Sequence, residues 1–251
     1  MYISQNLTRE IDQKKAVLAG NPSYYLTRQK KVQRQLEQDG PIHSWFIEHP
    51  RIRASLLLGR RGSEEHALNE LIRTGIRGLK EAWHYLSSST DYLNQETLKK
   101  TGALIDPELN SSGYRNRRVT LMMRHTPPSE VKIPALLEEA FYEAKTRTDL
   151  HSVEKAARLH LKLAGIQPFE DGNKRASRLM QDRILYGSDL PSAFIPVGER
   201  MVYLDLLDQA WHGLYLNEDD EDEQKPFFDY IGGKVNNSLD LLLDDITHKR
   251  R

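Results

Sequence analysis

The residues richest in possible chemistry are Ile166-Gln167-Pro168-Phe169-Glu170-Asp171-Gly172-Asn173-Lys174-Arg175-Ala176-Ser177-Arg178. A helix reaching Gly165 cannot continue through Pro168, which lacks an amide hydrogen and clashes with the preceding turn. Asp171-Gly172-Asn173 then reads as a turn that aims backbone N–H groups inward. A new helix follows, so its dipole and its unpaired first-turn N–H groups converge on one spot and make an anion site. Lys174 and Arg175 add positive charge at the rim. Arg178 lies one turn further along the face of Arg175. A carboxylate beside a phosphate cradle, here Asp171, suits a magnesium ion held by one protein oxygen plus phosphate oxygens. From spacing alone a plainer reading stays open, because an Asp-Gly-Asn turn before a helix is common without any ligand.

The elements that must hold this loop are helical. Apolar residues recur at three- and four-residue spacing along most of the chain. In 64–86 the stripe is Ala67, Leu68, Leu71, Ile72, Ile76, Leu79 and Trp83. In 134–145 it is Leu136, Leu137, Ala140, Phe141 and Ala144. In 151–166, Val153, Ala156, Ala157, His160, Leu161 and Ala164 share a face. A helix from about Asn173 to Tyr186 turns Ala176, Leu179, Met180 and Ile184 inward, and one over about 199–213 does so with Val202, Leu206 and Ala210. The last covers about 226–247, and its Gly232-Gly233 pair is a candidate break. Residues 1–40 are polar and read as peripheral helix, and 218–223 is an all-acidic block expected in a solvated loop. The one strand candidate is 117–124, β-branched at its centre and expected as a short hairpin. The expected fold class is therefore all-α.

The 251 residues carry 36 Lys+Arg against 36 Asp+Glu and no cysteine. Disulfides, thiolate-ligated metals and a cysteine nucleophile are excluded. Zero net charge argues against a general nucleic-acid binder. No apolar run approaches the ~18 residues of a membrane span, and the first residues lack a secretory pattern, so a cytoplasmic location is the expectation.

The 166–178 segment closely resembles the signature of the Fic/Doc family, His-x-Phe-x-(Asp/Glu)-Gly-Asn-(Gly/Lys)-Arg-x-x-Arg, at Phe169, Asp171, Gly172, Asn173, Lys174, Arg175 and Arg178. The surroundings are similar too. A preceding helix carries Ala156-Ala157-Arg158-Leu159-His160, Gly113-Tyr114-Arg115 leads into a flap segment, and Arg200-Met201-Val202-Tyr203 follows. The resemblance spans about 60–232. It implies a division into an N-terminal helical region (1–59), a Fic domain (60–232) and a C-terminal helix (233–251). The implied architecture is a Fic-type helical bundle with a small β-hairpin flap and helical additions at the N-terminus.

The resemblance also implies an activity, transfer of AMP from ATP to a hydroxyl of a target protein, with ATP or another nucleotide and Mg²⁺ as cofactors. By position, Asp171 would hold the metal. Gly172, Asn173 and the Lys174 backbone would cradle a phosphate, and Arg175 and Arg178 would neutralise developing charge. Val119, Thr120 and Leu121 of the flap would dock the target by strand addition. Tyr203 would either neighbour the nucleobase or serve as a packing tyrosine.

Three departures qualify this. Gln167 stands where the family has the histidine that acts as general base, and an amide has no proton affinity near pH 7, a loss of about 10²–10⁴-fold in rate. Lys174 replaces the glycine usual in adenylylating members, which is the Doc-like pattern of phosphate transfer. Finally, many members carry an inhibitory helix (Ser/Thr)-x-x-x-Glu-(Gly/Asn) whose glutamate pairs with the second motif arginine. Its nearest counterpart is read at Ala54-Ser55-Leu56-Leu57-Leu58-Gly59, with Leu58 in the glutamate place and the device lost. The resulting expectation is weak or absent transfer from an intact nucleotide loop. The alternatives are an active Doc-like transferase of phosphate or another nucleotide moiety, and a pure protein-interaction module.

Overall fold

In the computed structural model the described residues are 2–34, 38–57, 65–89, 93–121, 125–217 and 219–248. Among them the regular elements are helices, and no strand is present. In chain order the α-helices are α1 (Gln5–Ala19), α2 (Tyr24–Arg34), α3 (Gly40–Glu48), α4 (Pro50–Leu57), α5 (Glu65–Ser88), α6 (Gln95–Ile105), α7 (Pro107–Asn110), α8 (Ile133–Thr146), α9 (Ser152–Ile166), α10 (Asn173–Gly187), α11 (Arg200–Tyr215) and α12 (Glu221–His248). The all-α class holds. The expected β-hairpin does not form among the described residues. Val119, Thr120 and Leu121 run as irregular chain with no ladder partner, and the remainder of that segment, 122–124, lies outside them.

The molecule is organised around α9. One face, through Val153, Ala156, Ala157, Leu161 and Ala164, packs in a core with residues of α1, α11 and α12. The other, through Leu159, Leu163 and Ile166, joins a second core with α5, α6, α8 and α10. A helix apolar on both sides must be buried, and α9 is nearly so along its length. It therefore fixes the height and direction of the loop that leaves its C-terminus. Helix α10 returns antiparallel against it, which is what a tight connection between two packed helices produces.

Several expectations change here. The N-terminal region is not peripheral: Ile3, Ile11 and Leu18 are buried in the first core, and α1 lies along α12. Helix α12 runs unbroken through Gly232-Gly233. A side chain at Gly232 would strike Ile3 and Leu7, at 2.7 and 2.8 Å, so the glycine provides the close crossing of α1 over α12 rather than a break. Glu221, Asp222 and Glu223 form the first turn of α12 instead of a loop, a favourable place for negative charge at the positive end of the helix dipole. Leu71 and Val202 are exposed, so each lies off the buried stripe assigned to it.

Candidate functional site

The loop between α9 and α10 is locked from within. Gln167 closes α9 in the left-handed conformation, with φ 51°. Its side-chain amide donates to Ala164 O at 2.6 Å, so the residue caps its own helix and is buried. Asn173 brackets Phe169: its Oδ1 accepts from Phe169 N–H at 2.7 Å and its Nδ2 donates to Phe169 O at 2.9 Å. Phe169 itself is fully buried in the second core. Gly172 sits at φ 80°, and a Cβ there would meet Ile105 Cγ2 at 2.8 Å. Backbone conformation and space both demand glycine. With no side chain at this N-cap position, the first-turn N–H groups of α10 have no cap from it. Those groups stay available to an anion.

A second clamp comes from outside the loop. Arg115 donates from Nε to Gln167 O at 2.7 Å, from Nη1 to Arg117 O at 2.7 Å and from Nη2 to Pro128 O at 2.6 Å. Its backbone N–H donates to Pro168 O at 2.8 Å. The flap segment is thus tied to the loop by a buried arginine whose planar fork reaches several carbonyls at once. Arg117 adds an exposed ion pair to Glu170 at 2.6 Å. Asn110 Nδ2 donates to Asp171 O at 3.0 Å, fixing the turn from the side of α7.

The charged residues converge as the motif predicts, with one partner the sequence reading misplaced. Arg175 Nη2 donates to Asp171 Oδ2 at 2.5 Å, while Arg175 Nε is buried without a partner. Lys174 Nζ lies 3.2 Å from Glu48 Oε2. Arg178 donates from Nη1 and Nη2 to Glu48 Oε1, at 3.3 and 3.2 Å. One carboxylate therefore spans both cations. Burial alone would raise the Glu48 carboxyl, but Lys174, then Arg178 and Arg175, outweigh it and hold Glu48 below the ordinary carboxylate range. Ser44, one turn earlier on α3, takes Arg178 as well: Nε and Nη2 reach its Oγ at 3.1 and 3.0 Å and Nη2 reaches its carbonyl at 3.1 Å.

Leu58 and Gly59, the positions given to the inhibitory pattern, lie outside the described residues. The pattern is met earlier, by Ser44-Trp45-Phe46-Ile47-Glu48, with His49 in the sixth place. The Ser-x-x-x-Glu spacing was the available signal, and weighting the closing glycine over the glutamate hid it. A glutamate facing the second motif arginine is thus present at Glu48, on a helix that the Leu58 alignment did not consider.

Tyr203 lies beneath the motif, fully buried, with its hydroxyl 3.3 Å from Arg178 Nη1 and 2.9 Å from His160 Nε2. It is the packing tyrosine of the two readings, and it presents no free face to a nucleobase. His160 Nδ1 is 2.7 Å from Gln181 Oε1, an acceptor only. Nδ1 must then carry the hydrogen and Nε2 must accept from Tyr203. Burial pushes His160 down to about 3, so the ring is neutral. His125 is buried as well. Its Nε2 donates to Gly165 O at 2.9 Å and its ring stacks on Tyr215 at 4.3 Å. Neither histidine is an exposed base in the place of Gln167.

Among the described residues no group of three or more His, Cys, Asp or Glu side chains is arranged to hold a metal ion. Asp171 is half exposed and has one oxygen on Arg175. A cation here would take a single carboxylate oxygen and complete its shell with phosphate and water oxygens, the regime of Mg²⁺ rather than of an all-protein cage.

Residues 85–185, which contain the loop and both flanking helices, match the model of the Fic/DOC family. This segment of the chain is similar to the Fic/DOC family. Curated relatives include the protein adenylyltransferase Fic of Drosophila virilis, 29% identical over 67% of this chain and 34% of its own length. That of Drosophila ananassae is 28% identical over 69% of this chain and 35% of its own length. The chain spans about a third of the length of these relatives. Two solved structures share the fold. One is a Fic domain containing signaling protein from Bacteroides thetaiotaomicron, with TM-score 0.71 and 21% identity over 94% of this chain and 95% of that one. The other is Fic-1 (residues 134–508) from C. elegans, with TM-score 0.70 and 18% identity over 98% and 73%. The likeness reaches across the N-terminal helices as well as the Fic/DOC segment. Among the described residues, no helix is long and apolar enough to cross a membrane.

Proposed function

We propose that this Fic/DOC-like protein binds ATP–Mg²⁺ at the 171–178 loop and that Glu48 holds the loop closed to phosphate until α3 yields. The observation that carries the reading is the single Glu48 carboxylate lying between Lys174 and Arg178, the cations that the motif offers to phosphates. A carboxylate and a phosphate oxygen compete for the same donors, so one excludes the other. Arg175, already paired with Asp171, and the first-turn N–H groups of α10 complete the anion site. Asp171 supplies the metal's protein oxygen. When bound, Mg²⁺ neutralises phosphate charge and orients the phosphates.

Transfer to a protein hydroxyl is the chemistry of the relatives named protein adenylyltransferase. In this chain it is weak or absent on our reading, because Gln167 cannot accept the proton of an attacking hydroxyl and its amide is committed to Ala164. Val119, Thr120 and Leu121 form no ladder among the described residues and follow the clamp made by Arg115. That is where an extended target segment would dock.

Calorimetric titration with ATP–Mg²⁺ tests the binding step. Wild type should bind weakly and Glu48→Gly at least about 10-fold more tightly, the value of one charge-assisted contact. Absence of heat from both proteins would overturn the reading. Labelled ATP should then mark a target only when Gln167→His is added to Glu48→Gly.

A further inference from the structure

Arg178 has two sets of partners that belong to different bodies. All but one of its hydrogen bonds go to Ser44 and Glu48 on α3. The exception goes to Tyr203 on α11, over whose ring the guanidinium also lies, 5.5 Å from the centroid. If α3 withdraws, its whole contribution leaves together and only Tyr203 remains. The orientation of that hydroxyl is fixed from behind. Gln181 Oε1 obliges His160 to carry its hydrogen on Nδ1, so His160 Nε2 accepts the Tyr203 hydrogen. The Tyr203 oxygen then faces Arg178 with lone pairs only. A hydroxyl turned the other way would point its hydrogen at the guanidinium donors.

We infer that Tyr203 and His160 are positioning residues for Arg178, which keep its guanidinium ordered and ready for a phosphate when α3 is displaced. The inference rests on the proposed nucleotide reading and adds to it the groups that preserve the site in its open state. The Tyr203–His160 pair itself keeps its charge state. Burial holds His160 down at about 3 and pushes Tyr203 up to about 12, so neither changes charge across the physiological range. Around the pair stand Glu48 from α3, Gln181 from α10, Tyr230 from α12 and the Arg178 guanidinium, which also faces Asp182, a carboxyl that burial raises to about 7.

The experiment uses Glu48→Gly as the open form. In that background Tyr203→Phe and His160→Leu should each weaken ATP–Mg²⁺ binding by about 10-fold, the usual value of a hydrogen bond to a charged group. His160→Gln, which restores an acceptor for the tyrosine hydrogen, should recover most of the loss. With Arg178→Ala also present, Tyr203→Phe should cost nothing further, because the tyrosine acts through that arginine. Unchanged affinity in Tyr203→Phe, or a loss that persists in the Arg178→Ala background, would overturn the inference. The Arg178 Nε–H resonance in the ligand-free variants separates the two questions. It should be sharp in Glu48→Gly and broadened when Tyr203→Phe is added. If Glu48→Gly bound no nucleotide the functional reading would fail, while a resonance indifferent to Tyr203→Phe would defeat the positioning role by itself.

Discussion

Glu48 Oε1 accepts from Arg178 Nη2 at 3.2 Å across 130 residues of chain. The same carboxylate reaches Lys174 with its other oxygen. The pair joins an N-terminal helix to the second arginine of the Fic/DOC motif, and it gives the motif's cations a carboxylate partner from within the chain. Lys174 is thereby engaged by protein, and its role in the resting state is a second hold on Glu48.

Removing the Glu48 charge should expose how much that partner stabilises the resting fold. Glu48→Gln leaves Lys174 and Arg178 without their counter-ion in a largely buried place, at a cost of about 1–3 kcal/mol, below the range for a fully buried pair because all three side chains keep some exposure. ATP–Mg²⁺ at 100 times its dissociation constant should return about 2.7 kcal/mol to the variant. Thermal unfolding with and without nucleotide reads both effects. A variant as stable as wild type and deaf to nucleotide would contradict the picture.

Gly172→Ala should be damaging despite its small size. The position has φ 80° and the new methyl would meet Ile105 at 2.8 Å. Strain in the left-handed region and a steric clash together are worth about 2 kcal/mol or more. Chemical denaturation gives the number, and a loss under about 0.5 kcal/mol would mean that the loop relaxes freely.

Arg115→Lys should behave almost like Arg115→Ala. The guanidinium serves Gln167, Arg117 and Pro128 carbonyls from three different nitrogens, a fork that one ammonium cannot reproduce. Each buried carbonyl left unpaired costs about 1–3 kcal/mol. The flap and the motif loop should then exchange amide hydrogens faster, measured by hydrogen exchange. Full protection in the lysine variant would show that point charge alone suffices.

Asp182 supplies a pH test. Burial pushes its carboxyl up to about 7, against the N–H of Ala193, which donates to Oδ1 at 3.2 Å. It borders a cavity of about 40 Å³ between α3 and α10. The folded state therefore binds this proton more tightly than the unfolded chain. Its contribution is whole below about pH 4 and is lost as pH rises through about 7. Asp182→Asn keeps the acceptor and removes the titration. Its stability relative to wild type should improve from pH 4 to pH 8, by about 2–4 kcal/mol. A difference flat in pH would refute the shift. His160 acts oppositely: lowered to about 3, it makes wild type lose stability as pH falls below about 6.5.

Much of the site was legible because its constraints are local. Pro168 ends a helix, Gly172 permits a left-handed turn, and Asn173 reaches back only four residues to Phe169. The alternating faces of α9 were readable for the same reason, since periodicity reports which side of a helix is buried. No hairpin is seen among the described residues, because β-branched residues at 119–120 suit a strand but do not create a partner strand. Among the described residues the segment is held by the Arg115 side chain instead of a ladder.

The sequence by itself determined that a helix–turn–helix sits at 166–178, which follows from residue type and short-range backbone rules. Its resemblance to the Fic/Doc signature showed that Gln167 stands in the place of the family's histidine. Only the tertiary structure decided what the loop's cations touch. Glu48, Ser44 and Tyr203 reach Arg178 because the packing of the helices brings α3 and α11 to the same arginine of α10. The energy of such docking lies in the burial of apolar faces such as Trp45, Leu79 and Leu207. A carboxylate carried on one of those faces finds its partner only after the faces have met.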